Sequence, residues 1–141
     1  MNEKFRNNEI TKTYWAIVKN MLPKKSDILE NILLKDQKKN KSFITKKENG
    51  KHAKLSYKLI KKLDNYYHYE VQPETGRHHQ IRVQLSHAGS PIKGDLKYGA
   101  KRSNKDASIN LHARKIKFKH PVTKEDFEIT APPPKEIIWD L

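Results

Sequence analysis

Apolar and polar residues alternate along much of this chain, the signature of strands with one buried face. Residues 12–19 read Lys-Thr-Tyr-Trp-Ala-Ile-Val-Lys, rich in aromatic and β-branched side chains. A period of two puts Tyr14, Ala16 and Val18 on one face and Trp15 and Ile17 on the other, and apolar groups on both faces predict a central strand. After a turn at 21–26, a second apolar segment covers 28–34. Residues 35–51 are lysine-rich, with only Phe43 and Ile44 to anchor a short strand, so this stretch is expected to be exposed and mobile. Residues 53–63 set Leu55, Tyr57 and Leu59 against Lys54, Ser56 and Lys58. With the turn at Asp64-Asn65 and the strand 66–71 they predict an antiparallel hairpin.

Between 78 and 88 two periods compete. Ile81, Val83 and Leu85 alternate with Arg82, Gln84 and Ser86, yet Ile81, Leu85 and Ala88 also share a helical stripe. Gly89 and Pro91, both helix-stop residues, tilt the reading towards helix. Residues 109–119 form a strand whose phase slips between Ala113 and Ile116, predicting a bulge. A turn at 120–125 leads to a partner strand carrying Phe127 and Ile129, which Pro132-Pro133-Pro134 cannot continue. The tail 135–141, with Ile137, Ile138 and Trp139, reads as a short packing helix. The chain is expected to be one β-rich α+β unit over residues 1–141, without repeats or linkers.

Composition narrows the partners. Thirty Lys and Arg against 16 acids give a net charge of +14, with a pI near 9.9, which favours a polyanion such as nucleic acid. A solvated lysine-rich surface is the competing explanation. The absence of cysteine excludes disulfides and thiolate metal sites. Neither a membrane-length apolar run nor the apolar segment of a secretory signal is present, so a cytoplasmic protein is expected.

Candidate chemistry concentrates between Val71 and Gly99. Arg77 and Arg82 at the start of the predicted helix suggest a place where a phosphate or carboxylate is held. Arg82 lies at the edge of the apolar stripe, one turn from His78, and there it needs an anionic partner. A structural salt bridge to Asp95 is one way to supply it. Arg77 reads as a phosphate contact or a surface residue, and His79 and His112 as hydrogen-bonding residues orienting neighbours or RNA. His78, His79 and His87 cluster, but their spacing fits no common zinc pattern, so no metal is expected. Neither a phosphate loop nor a Ser-His-Asp or Cys-His arrangement is recognisable, and no cofactor is expected. Taken alone, Tyr14 is a sheet residue.

Gly76-Arg77-His78-His79-Gln80-Ile81-Arg82, then Gly89-Ser90-Pro91-Ile92-Lys93-Gly94-Asp95, then Tyr98-Gly99, resemble the signature of the RluA-type pseudouridine synthases. Residues 12–18 resemble that family's tyrosine motif. Asn110-Leu111-His112-Ala113, Phe118-Lys119-His120-Pro121 and Ala131-Pro132 are similar to its closing strands. The resemblance implies a mixed, mainly antiparallel sheet of the pseudouridine synthase type with few helices, and a helix at 78–88. It implies isomerisation of uridine in ribosomal or transfer RNA, without cofactor, by an aspartate nucleophile acting on a flipped base. By motif position the stacking tyrosine falls on Tyr14, and the arginine that pairs with the nucleophile falls on Arg82. RNA contact falls on Arg77, His79, Gln80, Lys93 and His112.

One part of the pattern is missing. The family's aspartate lies in an Arg-Leu-Asp stretch before the tyrosine, whereas only thirteen residues precede Tyr14 and none is Asp. Lys62-Leu63-Asp64 echoes the motif but follows Tyr14 and lies in a hairpin turn. The chain is therefore expected to be the C-terminal portion of a synthase catalytic domain, inactive alone, with Arg82 beside Tyr14 and awaiting an acid from elsewhere. Sheet edges that the absent part would cover are expected to favour self-association. A non-catalytic basic RNA-binding module is the alternative.

Overall fold

The computed structural model describes residues 10–119, 122–134 and 137–140. The polar lead-in at 1–9, the start of the turn at 120–121 and parts of the tail lie outside the described residues. Seven strands, β1 (Ile10–Val18), β2 (Ser26–Asp36), β3 (Lys41–Ile44), β4 (Lys51–Lys62), β5 (Tyr67–Pro73), β6 (Leu111–Lys119) and β7 (Asp126–Thr130), form one sheet of order β3-β2-β4-β5-β1-β6-β7. In keeping with the mainly antiparallel sheet expected, every strand pairing among the described residues is antiparallel. Helix α1 (Gln80–His87) packs on one face, and the single-turn α2 (Ile137–Asp140) brings Trp139 against the other.

β1 is central, as its two apolar faces require, and pairs with β5 and β6. On the α1 side, Ala16, Val18, Leu55, Tyr57, Tyr69 and Val71 meet Ile81 and Leu85 of the helix, with Leu22 and Ile92 closing the cluster. On the opposite side Trp15 stacks near Trp139, and the edge of His68 contacts both indoles. The phase slip in β6 is a bulge. Thr13 pairs with Lys115 but Tyr14 with Ala113, leaving Arg114 as the extra residue.

The competition at 78–88 resolves to helix because Gln84 is buried. On a strand it would share the polar face with Arg82 and Ser86. On α1 it sits fully enclosed, with Nε2 donating to the Leu29 and Ala53 carbonyls and to Asn31 Oδ1. The helix stops in a Schellman turn. Gly89 takes a φ of 98°, its N–H reaches the Ser86 carbonyl, and the Ser90 N–H reaches Leu85.

The short strand that Phe43 and Ile44 suggested is present in the lysine-rich segment. Residues 41–44 form the edge strand β3, from the Asp36–Lys41 pair to the Leu33–Ile44 pair, and Ser42 is buried within the stretch expected to be exposed. Backbone pairing needs few apolar side chains, so two were enough.

His68 makes stability pH-dependent. Burial, reinforced by the charge of Lys61, depresses its pKa to about 4, against roughly 6.5 for a histidine in the unfolded chain. Between those values the unfolded chain binds the extra proton. Stability is therefore complete above about pH 6.5 and falls towards pH 4, by up to about 1.4 kcal/mol per pH unit for this group. His68→Phe is expected to reduce the slope of unfolding free energy against pH in that window by about one proton, as read from urea denaturation at several pH values.

Candidate active site

Two side chains predicted to share the chemistry lie on the same side of the sheet. Tyr14 is half-buried on β1 beside the bulge, packed against the cluster that includes Ile81. With Lys12, Ala113, Ile116 and Ile129 it lines a hollow of about 230 Å³. The extra residue Arg114 is drawn to the opposite face, where its guanidinium lies 4.2 Å from the Trp15 ring centroid and Nη1 donates to the Ala131 carbonyl. Arg114 and Lys115 nonetheless contribute to the lining of the hollow that Tyr14 borders.

Arg82 already has a partner within the chain, the salt bridge that the sequence offered: Asp95 holds it in a two-point fork, Nε to Oδ2 at 2.9 Å and Nη2 to Oδ1 at 2.7 Å. The Asp95 side chain is 1% exposed and that of Arg82 20%. Hydrogen bonding to Asp95 raises the Arg82 pKa against the opposing effect of burial, so the guanidinium is always charged. Among the described residues no hydrogen bond or ring contact joins Arg82 to Tyr14.

The fork is positioned by the segment after α1. The Lys19 N–H donates to the Pro91 carbonyl, Lys93 N–H to Ile17, and Asn110 N–H to Lys93, so residues 91–93 are clamped beside the end of β1. Gly94 then turns with a φ of 87°, and a Cβ there would lie 2.7 Å from Asn104 Nδ2 and the Ser108 carbonyl. Only glycine passes this point, and it delivers Asp95 to the helix. The following 3₁₀ turn, Leu96–Tyr98, sets the Tyr98 ring 4.9 Å from the Arg82 guanidinium.

The histidines complete a network around Tyr98. Its hydroxyl accepts the Ser42 N–H and is 2.7 Å from His79 Nδ1, which directs the phenol proton to the imidazole. Burial first, then the charge of Arg82, lowers the His79 pKa to about 4, so the ring is a neutral acceptor at pH 7. His78 stacks on it at 3.7 Å and bonds Ser42 Oγ at 2.9 Å.

The remaining candidates separate. Gln80 is a buried bracket: Oε1 accepts from the Thr75 hydroxyl and the Arg77 N–H, and Nε2 donates to the Lys54 carbonyl. Arg77 is exposed, with Nε on the His52 carbonyl. His112 lies on the other face, its Nε2 3.0 Å from the Ala131 carbonyl and its ring 6.1 Å from Trp139. Lys93 points to Asn104 beyond the end of β1. Asp95 and Tyr98 were present in the motif, Asp95 as a possible salt-bridge partner and Tyr98 with no role assigned. Ser42 carried no sequence signal.

The fold is shared with solved pseudouridylate synthase domains. Human RNA Pseudouridylate Synthase Domain Containing 1 superposes over 94% of this chain and 58% of its own, with a TM-score of 0.76 and 24% identity. A profile of the family described as RNA pseudouridylate synthase matches residues 1–87. The chain belongs to that family. Its relatives include the ribosomal large subunit pseudouridine synthase C of Buchnera aphidicola subsp. Baizongia pistaciae, 39% identical over 94% of this chain and 44% of the relative. The uncharacterized RNA pseudouridine synthase YlyB of Bacillus subtilis is 32% identical over 93% of this chain and 43% of its own. The chain thus spans less than half the length of these curated relatives.

Removing Asp95 alone leaves a half-buried cation unpaired. Asp95→Asn is expected to destabilise the chain by roughly 3 kcal/mol. Asp95→Asn with Arg82→Met is expected to recover much of that loss in urea denaturation, which a purely loop-shaping Asp95 would not allow.

Proposed function

We propose that this chain is the tyrosine- and arginine-bearing part of an RNA pseudouridine synthase acting on ribosomal or transfer RNA in the cytoplasm. Its nucleophilic aspartate would come from outside these 141 residues. The observation that carries the reading is the permanently charged Arg82, held on the side of the sheet that bears Tyr14, in a chain of this family.

Isomerisation of uridine breaks the bond from the sugar to N1, rotates the base and rejoins the sugar at C5. No metal or cofactor is needed. The base must first leave its stack, at a cost of a few kcal/mol, and needs an aromatic or apolar surface to receive it. In this reading Tyr14 supplies that surface. Asp95 fixes the guanidinium through Nε and Nη2, leaving the Nη1 edge of Arg82 to receive the nucleophilic carboxylate and keep it ionised. Arg77, His79, Gln80, Lys93 and His112 were the sequence candidates for RNA contact. Arg77 and Lys93 fit that role best, because each keeps a cationic group with donors beyond its one internal hydrogen bond, to the His52 carbonyl and to Asn104 Oδ1 respectively.

Neither nearby acid suits the nucleophile's role. Both oxygens of Asp95 face Arg82 in a buried fork. Asp64 sits in the exposed turn beyond the Val18–Tyr67 pair, about 13 Å along the strand from Tyr14.

Two outcomes test the proposal. Incubated with uridine-containing RNA, the 141-residue chain is expected to yield no pseudouridine by mass spectrometry, and pseudouridine from the purified chain would overturn the missing-nucleophile reading. Adding the Arg-Leu-Asp segment of a full-length relative is expected to restore turnover that Arg82→Met abolishes. Failure of that rescue would favour a non-catalytic RNA-binding module.

The sheet edges lead to a second expectation. β7 is an edge strand on which Phe127 and Ile129 are exposed, a surface prone to pairing. Sedimentation equilibrium is expected to show concentration-dependent association, and a clean monomer at high concentration would remove this inference.

A further inference from the structure

A hollow of about 560 Å³ opens where β1 ends, lined in part by Lys19, Tyr66, Lys93, Lys101 and Arg102. Its lining holds four cationic side chains and no carboxylate. Two of the cations are pre-placed. Lys19 Nζ and Lys93 Nζ lie 5.2 and 5.6 Å from the centroid of the one Tyr66 ring, and Lys93 Nζ also donates to Asn104 Oδ1 at 2.6 Å. Ring and amide thereby fix two long side chains whose ordering otherwise costs binding energy. Lys101 and Arg102 have no hydrogen bond or ion pair among the described residues. The acid near Lys93, Asp106, is engaged by the Ser108 N–H and hydroxyl.

The floor is rigid. It is the backbone of residues 91–93, bonded to Ile17, Lys19 and Asn110. Four like charges around one cavity are mutually repulsive, with only Asp106, outside the lining, acting on one of them, and an anionic ligand relieves that repulsion. The volume falls within the range that encloses a nucleotide-sized group.

We propose that this hollow is a second RNA subsite, which grips backbone phosphates at a distance from the reacting uridine. The proposal rests on the synthase reading above and adds a position to it. Tyr14 lies on β1 and Lys19 just past its end, five residues on, or about 17 Å in extended chain, which corresponds to about five nucleotides of a stacked strand. Phosphate binding of this kind fixes register and carries no sequence information, so the subsite positions the RNA and does not select it.

The test measures the affinity of the 141-residue chain for a fluorescein-labelled, single-stranded, uridine-containing RNA by anisotropy at several KCl concentrations. Lys101→Gln/Arg102→Gln alters two exposed side chains without internal partners. This pair is expected to make the slope of log Kd against log salt shallower by about 0.7 for each phosphate no longer neutralised. Lys93→Gln, made separately, is expected to act in the same direction. Lys46→Gln/Lys47→Gln removes equal charge from an exposed loop at the other end of the sheet and should leave the slope unchanged.

Equal effects from both pairs would reduce the hollow to bulk charge and overturn the proposal, as would no effect from the hollow pair. Replacing chloride with inorganic phosphate at constant ionic strength should leave the difference between native and variant chains intact. Its disappearance would make free phosphate the ligand and overturn the RNA assignment. Absence of RNA binding by the native chain would sink this proposal and the synthase reading together. An unchanged slope alongside rescued turnover would sink this one alone.

Discussion

The Arg82–Asp95 fork is the interaction around which the α1 side of the molecule is arranged. A guanidinium with 20% of its side chain exposed is tolerated beside the Ile81–Leu85 stripe because a fully buried carboxylate meets it at two points. That carboxylate needs its own support. It has it in Gly94, in the clamp of residues 91–93 on β1, and in the Tyr98 network that reaches Ser42 on the far edge strand. Removing any of these moves an acid that has nowhere else to satisfy its charge.

The two faces of the sheet do different work. The α1 face gathers Tyr14, Arg82 and the neutral pair His78–His79, and its polar groups are paired internally with few exceptions. The opposite face is an aromatic layer of Trp15, His68 and Trp139, with His112 and Arg114 both bound to the Ala131 carbonyl. The bulge at Arg114 separates them. One unpaired residue turns a guanidinium towards the aromatic layer and sets Ala113 opposite the tyrosine.

Much of this was legible in the sequence, and the parts that were not share a cause. Period-two alternation placed β1, β4 and β5, and the slip between Ala113 and Ile116 marked the bulge, because packing against a core writes itself into side-chain polarity. The motif block placed Arg82 on a helix. Asp95 was visible as a possible partner, yet whether it or an outside acid would meet Arg82 depended on the path of residues 89–95, which hydrophobic patterning does not encode. β3 was only faintly marked, by Phe43 and Ile44, because an edge strand is held by backbone bonds, and Ser42 became important only through Tyr98, fifty-six residues away. His79 and His112 read as residues orienting either neighbours or RNA, and Gln80 as an RNA contact, because polarity in a motif does not name its partner. Within the chain they meet a phenol, a hydroxyl and backbone groups.

The clamp between residues 91–93 and β1 has a consequence for the order of assembly. Arg82 and Asp95 are near neighbours in the chain, yet the loop that unites them is held by Asn20, which meets Ser90 across seventy positions. An eight-residue helix has little persistence by itself, and long closures of this kind are slow. The ion pair therefore forms only once the sheet beneath it exists, so a nascent or partly unravelled chain presents its lysines without an oriented arginine.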